Sequence, residues 1–82
     1  MTLDQAPLAS TWRVLQMTAD RLALERRRQL EEIGFLPGEL VTVMRRAMPG
    51  GDPMVVRVGL STFALRGAEA RCILIAENHA HG

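Results

Sequence analysis

The sequence has no lysine and no tyrosine, one cysteine, one tryptophan and two phenylalanines. Each scarcity closes off a class of function. A single cysteine, Cys72, cannot form an internal disulfide, so the chain is not a stapled secreted scaffold and its core alone must hold it together, as suits a reducing compartment. The absence of lysine removes the phosphate-gripping side chain of a P-loop, and Pro49-Gly50-Gly51-Asp52-Pro53 also lacks the Ser/Thr and the following helix that such a loop requires. That stretch is a hairpin turn on its chemistry. With no tyrosine, both histidines in the last few residues and scattered carboxylates, no nucleophile and base are brought together by spacing, so an enzyme is not expected. The ten basic residues, all arginine, face nine acidic ones, and a net charge of +1 gives no long-range basic field for nucleic acid. Only Trp12, Phe35 and Phe63 are available for stacking, which ranks RNA binding last. Arginine alone, beside ten alanines, reflects coding bias before any selection for anion contacts. The longest apolar run, 72–76, is far too short for a bilayer span, and the N-terminus carries no basic cluster ahead of an apolar stretch. A cytoplasmic protein that does not insert into a membrane is the natural reading.

What remains is 82 residues, enough for one small domain. Residues 1–9 contain Pro7 and no sustained period, and are expected to be a flexible start. The domain proper is expected over 10–77, with a frayed tail at 78–82. Residues 10–17 alternate as a strand, with Trp12, Val14 and Gln16 on one side and Arg13, Leu15 and Met17 on the other. Thr18 and Asp20 are N-cap candidates for a helix over 20–33, whose stripe Leu22, Ala23, Leu30 and Ile33 should face the core, with Arg26 projecting within it. Gly34 fits the left-handed position that ends the helix in a Schellman cap, pairing Leu30 with Phe35. Pro37 and Gly38 suit the centre of a type II turn. Strands follow over 39–48, 54–58, 62–66 and 71–76, with GAEA at 67–70 long enough for one helical turn. The fold class is mainly β with one α-helix: a small, mostly antiparallel barrel with the helix packed on it.

Arg27, Leu30, Ile33 and Gly34, followed by Leu36-Pro37-Gly38, spell R-x-x-L-x-x-I-G-x-L-P-G, which resembles the signature of the FeoA family. Gly51-Asp52-Pro53 and the segment Ala64-Leu65-Arg66 with Glu69-Ala70 resemble further blocks of that family, in the same order. The resemblance implies an SH3-like antiparallel β-barrel in the cytoplasm, acting as an accessory to FeoB, a ferrous iron transporter with a cytoplasmic GTPase region. Similar domains also close metal-dependent repressors, but no helix-turn-helix precedes the barrel in this sequence.

The candidate partner-binding residues are Arg27, Gly34, Phe35, Leu36, Pro37, Gly38 and Asp52, with Arg66 and Glu69 expected to pair structurally. The bland reading of Arg26, Arg27 and Arg28 is a wet helix face, with Arg27–Glu31 and Arg28–Glu32 as weak i, i+4 pairs. Asp52 would cap backbone amides of its own turn. Leu24, Leu36, Met44, Met48 and Met54 with Phe35 offer apolar contact surface or, equally, core. The competing function is metal binding: His79 and His81 with Cys72, and Glu69 or Glu77 nearby, have the chemistry for Fe²⁺ or Zn²⁺, including between two copies in a homodimer. The bland readings are a frayed tail for the histidines and a core cysteine for Cys72. No cofactor is required by the accessory reading.

Overall fold

Runs of β-branched and alternating residues become five antiparallel strands among the described residues, which are 1–17, 24–48 and 50–77 of a computed structural model. They are β1 (Thr11–Met17), β2 (Leu40–Arg46), β3 (Met54–Val58), β4 (Ser61–Leu65) and β5 (Ile73–Glu77). They lie in the order β4-β3-β2-β1-β5, so every neighbour but one is a sequence neighbour and the first strand pairs with the last. Helix α1 (Leu24–Glu32) connects β1 to β2, and α2 (Gly67–Ala70) is the expected single turn before β5. The Thr18 and Asp20 caps, the Leu22 and Ala23 stripe positions and the Arg26 side chain lie outside the described residues.

The end of α1 forms as its sequence dictates. Phe35 N–H donates to the Leu30 carbonyl at 3.0 Å and Gly34 N–H to that of Glu31 at 3.1 Å, the two bonds of a Schellman cap. Gly34 has φ +116°, a region that side-chain-bearing residues avoid, and Leu30 and Phe35 are both buried. Pro37 and Gly38 then make the turn, with Glu39 N–H donating to the Leu36 carbonyl at 3.0 Å. Ile33 departs from the expected stripe. It stands exposed, leaving Leu30 as the buried anchor of the described part of α1.

Two irregularities redirect strand faces. An extra residue, Leu15, sits between the β1–β5 partners Val14↔Ile75 and Gln16↔Leu74, and a second, Met44, between the β2–β3 partners Val43↔Val56 and Arg45↔Val55. A bulge shifts the alternation by one position, so Met17 is buried and Gln16 exposed, the reverse of strict period two.

Residues 1–9 are not a loose start. Leu3 and Ala6 are fully packed into the core, Thr2 bridges Leu74, and Ile75 N–H donates to the Met1 carbonyl at 2.9 Å, covering the outer edge of β5. Arg46 on β2 fastens the segment, its Nη2 donating to the carbonyls of Asp4 at 2.9 Å and Ala6 at 2.6 Å. A charged donor shared between two carbonyls outweighs the disorder expected of a terminus. The core beneath is aliphatic, with Val14, Val41, Val43, Val56, Ile73 and Ile75 from four strands closing on Phe35.

Candidate functional site

Burial of Phe35 decides what the α1–β2 corner presents to solvent. Its ring is 0% exposed and tilts against Phe63 at 6.4 Å, so the expectation of Phe35 as a contact residue is corrected: it is core. The cap that turns Phe35 inward leaves Leu36 outward, 45% exposed, with Pro37 beside it. Gly38 is occupied structurally, its N–H donating to the Val14 carbonyl at 2.8 Å and its carbonyl accepting from Arg13 Nη1 at 2.7 Å. Of the corner residues, Leu36 and Pro37 remain available for contact.

Across from Leu36 lies a residue that sequence reasoning missed. Leu60 follows Gly59 in the tight β3–β4 turn and is 94% exposed. With Ile33 and Leu36 it lines a shallow cleft of ≈ 260 Å³ floored by Gly34 and Val58. The available signal was a lone leucine after a turn glycine, a position at a hairpin tip that cannot reach a core. Three large aliphatic side chains meeting at one open cleft form the kind of patch that marks an interaction surface. Met48 and Met44 are also exposed, but Met54 is core, which divides the expected methionine surface.

The remaining candidates take structural places. Arg27 Nε lies 3.8 Å from Glu31 Oε1 with both side chains about two-fifths exposed, a weak surface pair, and Arg28 with Glu32 makes none. Asp52 caps a helix instead of its own turn: its Oδ1 accepts from Gly67 N–H at 3.0 Å at the start of α2, and a Cβ on Gly67 would lie 3.2 Å from Oδ2. Loss of that cap in Asp52→Ala should lower stability by about 1 kcal/mol, read from the shift in urea midpoint. Glu69 does bond to Arg66, through the latter's backbone N–H at 2.8 Å. Cys72 lies in the turn before β5, nearly buried, with Sγ 3.4 Å from the Ala68 carbonyl. His79 and His81 lie outside the described residues. No three His, Cys, Asp or Glu side chains are grouped to hold a metal among the described residues.

A family model described as the FeoA domain matches residues 1–77, all of the strands and both helices. The chain belongs to the FeoA family. It is similar to FeoA of Stenotrophomonas maltophilia, solved with zinc and described as a prokaryotic SH3 domain protein: 34% identity over 93% of this chain and 89% of that one, TM-score 0.84. It is also similar to FeoA of Chlorobium tepidum, at 29% identity over 100% of this chain and 79% of that one, TM-score 0.79. Iron(II) transport protein A of Clostridium thermocellum matches at 29% identity over 92% of this chain and 44% of that one, TM-score 0.76. No curated protein matches the sequence. The FeoA family is associated with ferrous iron transport, and the SH3-like architecture expected from the motif is the one found. No helix among the described residues is long and apolar enough to cross a membrane.

Proposed function

We propose that this chain is a non-enzymatic cytoplasmic accessory that docks on the cytoplasmic part of a FeoB-type transporter and regulates ferrous iron uptake by contact. The observation that supports the reading best is the open apolar cleft of Ile33, Leu36 and Leu60, held on a rigid corner by the Schellman cap. Covering a leucine side chain contributes about 1.5–3 kcal/mol, so two of them supply a substantial part of a micromolar affinity. Contact of this kind changes transport or nucleotide turnover only by favouring one transporter conformation over another. Leu36 and Leu60 are the anchors in this scheme, with Pro37 rigidifying the approach. Co-precipitation of the full chain with the cytoplasmic region of the transporter tests it. Retention that depends on the bound nucleotide supports docking, and none in any nucleotide or Fe²⁺ condition refutes it.

The zinc bound by the S. maltophilia relative favours a second reading, in which His79 and His81 take a borderline cation, alone or between two copies. Cys72 is a poor third ligand where it stands, because it is nearly buried and its thiol donates to the Ala68 carbonyl. Under the docking reading, His79→Ala with His81→Ala lowers Zn²⁺ affinity, measured by competition with a chromophoric chelator, while transporter binding stays within about twofold. A loss of transporter binding in that variant would move the metal to the centre of the function.

A further inference from the structure

We infer that the outer face of β1, β2 and β3 binds an extended, carboxylate-rich segment of a partner protein, gripped by Arg13 and Arg57. The proposal rests on the docking reading only for the partner's identity and adds its chemistry. The charge of this nearly neutral chain is unevenly placed: β1 to β4 contain Arg13, Arg45, Arg46 and Arg57 and no aspartate or glutamate, whereas in α1 three glutamates balance three arginines. Arg46 is committed to the N-terminal segment, and the other three are exposed on the face turned away from the core.

Register places them. Thr11, Thr42 and Arg57 stand opposite one another across β1, β2 and β3, Arg13 is opposite Leu40, and Arg45 opposite Val55. The two threonine hydroxyls lie 2.8 Å apart, and Arg13 is steadied from below by the Gly38 carbonyl. Between Arg13 and Arg57 the surface sinks into an open depression of ≈ 560 Å³, in whose lining Glu39 is the sole carboxylate. Arg57 and Arg45 have no ion-pair partner among the described residues.

A guanidinium binds a carboxylate through two parallel N–H donors, so this face complements acidic side chains with both charge and shape. Arg13 and Arg57 are two strand spacings apart across the sheet and two residues apart along it, about 12 Å, close to the reach of four residues of extended chain. The fitting partner is therefore an extended segment with acidic residues at i and i+4, which point to the same face of it. Glu39 and Gly59 border both this depression and the Leu36–Leu60 cleft, so apolar side chains of the same segment reach that cleft. A nucleic acid is the poorer match, because Trp12 and Phe63 pack against the core and leave the face without a stacking ring.

The test is a titration of the ¹⁵N-labelled full chain with the peptide acetyl-Gly-Glu-Ser-Leu-Ser-Glu-Ser-Leu-Gly-amide, whose glutamates and leucines share one face when extended. Its counterpart with glutamine for glutamate and an oligothymidine are the comparison probes. Amide shifts confined to residues 11–13, 40–42 and 57–60 are expected, with binding about tenfold weaker for the glutamine peptide and about fivefold weaker in Arg57→Gln. Arg71→Gln, exposed elsewhere, should bind as the parent does. Shifts centred on another surface, equal binding of the two peptides, or an unchanged Arg57→Gln overturn the proposal. Oligothymidine binding tighter than the acidic peptide overturns it in favour of a nucleic-acid face. Peptide binding as expected, with no binding to the transporter's cytoplasmic region, refutes the choice of partner and supports the chemistry of the face.

Discussion

Phe35→Ala should destabilise the domain by about 3–5 kcal/mol, enough to unfold a large fraction of it at modest urea. The ring fills the centre of a small core, touches Phe63, and supplies the apolar half of the cap whose other half is Leu30. A protein of this length holds roughly 4–12 kcal/mol in total, so one cavity removes about a quarter or more of the margin. Leu36→Ala, one residue further on, should cost less than about 1 kcal/mol, because that side chain is already half in water. Urea unfolding followed by Trp12 fluorescence compares the two. Near-equal losses would mean that the corner does not separate a buried from a presented residue as described.

The second large effect concerns binding. Leu36→Glu with Leu60→Glu places two charges in the cleft that a partner must cover, and the desolvation cost adds to the lost apolar contact. Affinity for the transporter's cytoplasmic region should fall by about a hundredfold or more, while the urea midpoint stays near that of the parent. The separation of the two readouts matters. Both residues are exposed, so a binding loss without a stability loss assigns them to contact, and a parallel fall in stability would assign them to the fold.

The parts legible in the sequence are those fixed by local chemistry. Gly34 ending a helix, Pro37-Gly38 turning the chain and glycines in the β2–β3 connection act through their own backbone preferences, and the structure realises them residue by residue. What escaped depends on partners distant in sequence. Leu3 and Ala6 have no periodic neighbours, and they are buried because Arg46, some forty residues later, holds their backbone. The bulges at Leu15 and Met44 leave no mark in the alternation they interrupt, so faces beyond them are assigned the wrong way round. At the site, the corner was legible but its division was not. Whether Phe35 or Leu36 turns outward is set by the core that receives Phe35, and Leu60 joins the surface only because the β3–β4 turn folds back beside α1's end. Asp52 was expected to cap its own turn, yet the amide it caps belongs to a helix fifteen residues away.

Docking through the corner is tested most directly by titration calorimetry of the full chain into the cytoplasmic region of the FeoB-type transporter, once with GDP and once with a non-hydrolysable GTP analogue. The expected result is binding whose affinity differs between the two nucleotide states and is lost in Leu36→Glu with Leu60→Glu. Absence of binding in both states, or binding that the double variant retains in full, would contradict it.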